Sequence, residues 1–289
     1  MHALEFQEGG PVNNKKIPFV PADRKEAPAT RFFRFIQDNY RSILVIIGFF
    51  LFWELSVHFF KIPKYILPAP SKALSVLFFK QPQADYFWAM NFRTTLLEFI
   101  MAFLISSALG ITISIILVWS RHTKKLVMPL FIFMNSLPII AVTPLILLWM
   151  GYGIKTNMLI AFLVSFFPVV INTMTGLDAI EEDLLDLVRY LNASKLQLLI
   201  KIRLPNSLPY IFSGLKICAT MSIIGAIVGE YLASDKGLGY VIIIGQFSMD
   251  TPPIFASLIV ISLMGAGLYM IITLLERLLM PWEFTRERV

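Results

Sequence analysis

The chain has 289 residues, of which 57% are hydrophobic and 15% are charged. This apolar share exceeds the roughly half that is typical of soluble domains, and it excludes an ordinary soluble protein of this length. The formal net charge of +6 is divided among separate polar segments. This disfavours nucleic acid as a partner, because no continuous basic surface is predicted.

Six apolar stretches are predicted to cross a membrane as helices, after a polar N-terminal tail of residues 1–41. In that tail, residues 31–36 are predicted to form a short interfacial helix against anionic lipid, or to supply only flanking charge. Each apolar stretch is near or above the ~20 residues needed to cross ~30 Å of hydrocarbon. The sequence therefore predicts an all-α polytopic membrane protein, with a transmembrane domain over 42–283 and a short tail over 284–289. The six predicted spans cover residues 42–60, 94–119, 126–150, 157–177, 210–232 and 254–280.

Lysine and arginine positions predict the orientation of these spans. Six spans place both termini on one side of the membrane, and 17 of the 25 basic residues lie in segments on that side. Cytoplasmic segments of membrane proteins carry the excess of basic residues. Both termini are thus predicted to be cytoplasmic, together with the polar segment 178–205.

Small residues and prolines within the spans predict how the helices pack and bend. Small residues recur every four positions from Ala102 to Ser114, a spacing that brings helix backbones close together within a chain or between subunits. Prolines in the third and fourth spans are predicted to bend them around a pathway, or only to affect packing. Pathway candidates in these spans and in the fifth are Asn135, Pro138, Thr143 and Met221.

Glu54, Glu98 and Glu230 lie within or at the ends of apolar spans, where a charge is costly. Glu54 and Glu98 are predicted to reach the outer interface. Glu230 precedes a glycine-rich loop and is predicted to hydrogen-bond an outer gate. Cys218 in an apolar span is predicted to be a buried thiol, and the three histidines are too scattered for a metal site.

The segment 178–205 is predicted to form two short helices between the fourth and fifth spans. From Ile180 to Leu191 apolar residues recur at helical spacing, and acidic residues cover the opposite face. Asn192 is predicted to occupy a left-handed turn between the helices. Pro205 and Pro209 are predicted to end the second helix. Two residue pairs have the spacing of a capping box at a helix start, Asp178 with Glu181 and Ser194 with Gln197.

The same segment resembles a known family in the order and spacing of Asp186-Leu187-Val188, Asn192, Ile202 and Leu204-Pro205. This pattern is similar to the Glu-Ala-Ala, Gly, Ile-x-Leu-Pro loop of permease subunits in bacterial ATP-binding-cassette (ABC) importers. Here Asp, Leu, Val and Asn replace the family's Glu, two Ala and Gly. Further matches, to the nitrate, sulfonate, taurine and bicarbonate branch, are Leu67 to Ser71, Gly229-Glu230, Gly237 to Tyr240 and Pro281-Trp282.

The resemblance implies a type I importer permease fold in the bacterial inner membrane, and a set of partners. These are two ABC ATPase subunits, which bind the ATP so that this chain needs no cofactor, an extracytoplasmic solute-binding protein, membrane lipid and a second permease copy in a homodimer. The binding protein largely selects the solute in such importers, so the sequence leaves the solute open. The implied ATPase-coupling residues are Glu182, Asp186, Leu187, Val188, Asn192, Ala193, Ser194, Ile202, Leu204 and Pro205.

Two other functions agree less well with the sequence than that of a permease. An intramembrane enzyme, such as a lipid transferase or a protease, requires convergent catalytic groups at membrane depth, and the sequence predicts no catalytic or metal-binding residues. A secondary transporter would show an inverted repeat or paired intramembrane charges, which are not evident. Lys155-Thr156 after Gly151 and Gly153 lacks the spacing of a phosphate-binding loop, so ATP hydrolysis is expected in another chain.

Overall fold

The computed structural model describes residues 28–79 and 86–281, and every regular element in these ranges is a helix. This confirms the predicted all-α class. Residues 1–27 of the predicted N-terminal tail 1–41, and all of the predicted C-terminal tail 284–289, lie outside the described residues. The helices are α1 Pro28–Phe59, α2 Pro70–Phe78, α3 Trp88–Val118, α4 Arg121–Asn135, α5 Ile139–Met150, α6 Ile154–Asp178, α7 Glu182–Tyr190, α8 Lys195–Leu198, α9 Leu204–Ala233, α10 Leu238–Phe247 and α11 Thr251–Leu279.

Four helices of the described chain are long and apolar enough to cross a membrane, and a bent pair raises the count to five. The four are α3, α6, α11 and the continuous helix formed by α8 and α9. The apolar part of α1, Leu44–Phe59, is shorter than these spans. Residues 31–36, predicted as a separate short helix, lie within the continuous helix α1. The total of six spans therefore stays a prediction.

The bent pair is α4 with α5, which meet at an angle of 94°. Pro138 lies at the break and adopts an extended conformation before α5. A proline disfavours a helical conformation in the residue before it and lacks an amide proton, so both effects interrupt the helix here. The predicted bend is thus located at one proline, while Pro129, Pro144 and Pro168 remain inside helices.

Among the described residues from Trp53 onward, which belong to one compact unit, the core is the contact of α3 and α9 with α6. Ser106 of α3 lies 2.8 Å from Ser165 of α6 between their hydroxyl oxygens. One turn earlier on α6, a Cβ added to Gly225 of α9 would lie 2.5 Å from the Ala161 Cα. The small residues predicted to bring helices together therefore do so within a single chain.

Candidate functional site

The segment 178–205 begins directly after α6 and differs at its start from the sequence prediction. Helix α6 continues to Asp178, and α7 begins only at Glu182. Asp178 accepts a salt bridge from Lys124 of α4 and does not form the predicted capping box with Glu181. The Asp178 carboxylate is bonded to a basic group that is distant in sequence, and a rule based on local spacing cannot detect such a partner.

The turn between α7 and α8 has the predicted local structure. Asn192 has a φ of 50°, in the left-handed region, and the Ala193 amide donates to the Val188 carbonyl at 3.2 Å. At the start of α8 the Gln197 amide donates to the Ser194 hydroxyl, and the Ser194 amide donates to the Gln197 side chain. This capping box satisfies two free amides at the start of α8.

The second half of the segment runs into a membrane-spanning helix without the predicted stop. Residues Leu199–Arg203 form a π-helical turn that joins α8 to α9. The Leu204 amide donates five residues back, to the Leu199 carbonyl. Pro205 follows in the first turn of α9, and Pro209 lies inside that helix. The widened turn accommodates the missing amide of Pro205, so neither proline ends the helix.

The two ends of the segment are held together where α6 meets α9. The Asn206 side-chain amide donates to the Ala179 carbonyl at 2.6 Å. A Cβ added to Gly176 would lie 3.0 Å from the Ser207 Cα and 2.6 Å from the Tyr210 Cβ. The two ends of the segment are therefore in contact, and it forms a closed loop whose base lies where the membrane-spanning helices α6 and α9 meet.

The outer face of this closed loop, residues 178–205, combines acidic and apolar side chains. Glu182 and Asp186 are exposed on α7. Beside them Leu187 is 53% exposed and Tyr190 86% exposed, whereas Val188 faces inward. Of the other predicted coupling residues, Ala193, Ser194 and Pro205 are exposed, and Ile202 and Leu204 are half-buried. An exposed patch of this mixed chemistry is typical of a protein-binding surface.

The left-handed turn permits a prediction on Asn192. Asn192→Gly is expected to leave transport unchanged, because glycine adopts a positive φ without strain. Asn192→Val is expected to destabilise the turn by about 1–2 kcal/mol and to reduce transport at equal expression. Solute uptake by proteoliposomes that contain the assembled transporter measures both variants. Equal uptake by the two variants would contradict a structural role for this turn.

A second candidate site is an apolar cavity of about 360 Å³ beside the break between α4 and α5. Two of the predicted pathway residues line it, Asn135 and Met221, together with the aromatic ring of Phe167. Pro138 forms the adjacent break, and Thr143 is buried with its hydroxyl bonded to the Ile139 carbonyl. Glu230 is not among the lining residues. The lining contains no charged side chain.

Glu230 instead lies in a polar cluster between α3 and α9. The Thr95 hydroxyl donates to one carboxylate oxygen at 2.5 Å, and the Gly239 amide donates to the other at 2.7 Å. Two further loop amides bond α3, since Gly237 donates to the Asn91 side chain at 2.8 Å and Leu238 to the Thr95 hydroxyl at 2.9 Å. The cluster fastens the loop before α10 onto α3.

The loop residue Gly237 has a conformational reason for being glycine. Its φ is 104°, and a Cβ at this position would lie 2.1 Å from the carboxyl carbon of Glu230. The role of Glu230 in an outer gate stays a prediction.

Glu98 does not reach an interface as predicted, because it is fully buried. The Asn157 side-chain amide of α6 donates to one of its oxygens at 2.9 Å. This contact spans 59 residues of sequence, which explains why local hydropathy assigned Glu98 to the membrane surface. The sequence reasoning also missed Asn91, Thr95 and Asn157, although polar residues inside apolar spans are a general signal of a functional or packing role.

The described residues contain no group of three or more His, Cys, Asp or Glu side chains that could hold a metal ion. Cys218 is fully buried, 3.9 Å from the Ser107 hydroxyl. The candidate functional features of the described chain are therefore the closed polar loop 178–205, the uncharged cavity and the buried polar cluster around Glu230.

Known proteins match this chain over most of its length. Residues 106–282 match the family described as binding-protein-dependent transport system inner membrane component. The chain is 31% identical to the formylaminopyrimidine transport permease protein ThiX of Halalkalibacterium halodurans, over 80% of this chain and 91% of ThiX. It is 33% identical to the riboflavin transport system permease protein RibX of Chloroflexus aurantiacus, over 81% of this chain and 86% of RibX. It is also 32% identical to SsuC of Bacillus subtilis, a protein named for transport of aliphatic sulfonates, over 65% of this chain and 68% of SsuC.

Proposed function

The chain belongs to the family of binding-protein-dependent transport system inner membrane components, and from this we propose how its parts serve transport. It is the permease subunit of an ATP-driven importer for a small solute, and a partner ATPase hydrolyses the ATP. Two copies of the chain enclose the pathway, with both termini in the cytoplasm. The closed loop 178–205, called here the coupling segment, contacts the ATPase. The apolar cavity forms part of the pathway.

The coupling proposal rests on the contacts between α6 and α9 that close the base of the coupling segment. Force applied to α7 reaches α6 through the Asn206 bond to Ala179, and it reaches α9 through the tight contact of Gly176 with Ser207. These two contacts join the segment to two membrane-spanning helices, so it acts as a lever that transmits movement of α7 to both of them. ATP-driven movement of the ATPase would in this way shift α6 and α9 together, and so open and close the pathway that the two permease copies enclose.

Charge supports the proposed orientation. The coupling segment contains Lys195, Lys201 and Arg203, and Lys124 of α4 is bonded to Asp178 at its start. Basic residues concentrate on the cytoplasmic side of membrane proteins. This end of the helices is therefore assigned to the cytoplasm, where an ATPase is accessible.

The cavity chemistry supports an uncharged, planar solute. Its lining has methionine sulfur, one aromatic ring and one side-chain amide, and such surfaces favour flat ring systems over ions. Lys216 of α9 is already paired with Glu276 at 2.5 Å. Of the solute types named for the relatives, the cavity thus suits a pyrimidine or flavin ring better than a sulfonate.

The solute class is tested with the reconstituted transporter and its own binding protein. Riboflavin or a formylaminopyrimidine is expected to raise the ATPase rate several-fold, whereas an alkanesulfonate leaves it at the basal value. The stimulated rate, measured as phosphate release with each solute in turn, decides between them. Stimulation by the sulfonate alone would contradict the proposed class.

The division of labour between subunits gives a direct test of the permease function. The purified chain is expected to release no phosphate from ATP, because it has no phosphate-binding loop. Phosphate release should appear when the ATPase subunit is added, and should increase with solute-loaded binding protein. Turnover by the isolated chain, at a rate that purification does not remove, would refute this division.

A further inference from the structure

Two carboxyl groups are buried side by side in the membrane-spanning part of the chain without a basic partner. Glu98 of α3 and Glu230 of α9 are both 0% exposed, and both lie beside Asn157 of α6. The Asn157 amide donates to Glu98, and a Cβ added to Gly229, the residue before Glu230, would lie 3.0 Å from the Asn157 Oδ1. In the described part of the chain, neither group forms an ion pair with lysine, arginine or histidine. Two like charges at this depth repel each other and lose their hydration, so the pair as ions is strongly unfavourable.

The hydrogen bonds of the pair are unequal. Both oxygens of Glu230 accept a bond, from Thr95 and Gly239. Glu98 accepts one bond, from Asn157, at its Oε1. Its Oε2 and the Asn157 Oδ1 are buried acceptors with no donor in the described structure. Unsatisfied buried acceptors of this kind are rare in proteins, and each one calls for an explanation such as a bound proton, an ion or an ordered water.

We propose that Glu98, Asn157 and Glu230 bind one positive charge, carried either by a proton on Glu98 Oε2 or by a monovalent metal ion. A proton converts that oxygen into a donor for a neighbouring acceptor, and a metal ion is coordinated by the free oxygens directly. Either ligand halves the net charge of the pair. It leaves Glu230 ionised, with its bond to the Gly239 amide intact.

The site joins three helices and the loop before α10. Its oxygens come from α3, α6 and α9, and Glu230 holds the loop through Gly239. The other side chains at this end that are charged at neutral pH are not candidates for the missing charge, because they are exposed or bonded to another residue, and Tyr231 and Tyr240 are half-buried neutral phenols. Arg93, Lys155, Asp235 and Lys236 are exposed, and Tyr86 is bonded to Asp250. Loss of the bound charge is therefore expected to loosen the contact of α3 with α6 and α9.

The test uses the transporter assembled with cysteine-free partner subunits in lipid nanodiscs. Unfolding of the permease is followed by the reaction of Cys218, its single buried cysteine, with a thiol-reactive dye. The melting temperature is measured against pH in choline chloride, and again with Na⁺ replacing choline at constant ionic strength. The variants are Glu98→Gln, Asn157→Asp and, as a control carboxyl outside the site, Glu54→Gln.

Each source of charge predicts its own result. With a bound proton, the melting temperature of the wild type falls as the pH rises, because the folded chain holds a proton that the unfolded chain releases. With a bound metal ion, the melting temperature rises as Na⁺ replaces choline. Glu98→Gln removes the dependence in either case, since its amide supplies a donor without charge, and Glu54→Gln retains it.

Asn157→Asp keeps the proposal testable if Glu98→Gln does not assemble. A third carboxyl in the site is expected to steepen the dependence on pH or on Na⁺. The proposal is overturned if wild type and Glu98→Gln respond equally to pH and to Na⁺. It is likewise overturned if Asn157→Asp responds no more steeply than the wild type.

Discussion

Reversing two charges in the coupling segment, by Glu182→Lys together with Asp186→Lys, is expected to abolish co-purification of the ATPase with the permease. Both residues are exposed on α7 beside the apolar side chains Leu187 and Tyr190. Like charges brought together across a protein interface cost several kcal/mol, here taken as at least about 2 kcal/mol. Since 1.4 kcal/mol is a factor of ten, the affinity should fall by at least about 30-fold. A pull-down of the tagged permease from membranes measures the loss.

The matched control for this variant is Asp235→Lys, a charge reversal in the loop between α9 and α10. Asp235 is also exposed, but it lies beyond the far end of α9 from the coupling segment. The Asp235→Lys permease should bind the ATPase as the wild type does. Equal recovery of the ATPase with all three proteins, at equal insertion of the permease, would remove the coupling segment as the contact.

Gly225→Leu is expected to disrupt the permease itself, at the contact of α6 with α9. The added Cβ would meet the Ala161 Cα at 2.5 Å and its amide nitrogen at 3.2 Å. Both atoms belong to the backbone, so no side-chain rotation relieves the overlap. Overpacking costs about 1–3 kcal/mol and occasionally more, and here it falls on the helix pair that closes the base of the coupling segment. The expected result is a large drop in melting temperature and in the yield of assembled transporter.

Gly267→Leu provides the same substitution in a different environment. A Cβ at Gly267 of α11 has no atom within 4 Å. Its melting temperature should therefore stay near that of the wild type in the same nanodiscs. If Gly225→Leu were as stable as Gly267→Leu, close packing of α6 against α9 would not be a requirement of the fold.

Local chemistry made part of the coupling segment predictable from sequence. The capping box of Ser194 with Gln197 and the left-handed turn at Asn192 depend on neighbours within a few residues. The helical class and the small-residue contacts of α3 were predictable because hydropathy and spacing along one helix determine them.

Contacts between distant residues explain the parts that sequence reasoning missed. Asp178 bonds Lys124, which is 54 residues away, and Glu98 bonds Asn157 at a separation of 59 residues. Pro205 is tolerated because the preceding π-helical turn rearranges the backbone bonds, and no composition rule predicts this turn. Burial of Glu98 depends on how three helices come together, so the polar cluster is visible only in the fold.

Photo-crosslinking at Tyr190 tests the central claim, that the coupling segment contacts the ATPase, most directly. Tyr190 on α7 is 86% exposed, and Tyr152 at the opposite end of the helices is 79% exposed. Each tyrosine is replaced in turn by the photoreactive residue benzoylphenylalanine, and the assembled transporter is irradiated in the membrane. We expect a covalent product with the ATPase from position 190 and none from position 152. An ATPase product from position 152, or its absence from position 190 in an assembled complex, would contradict the account.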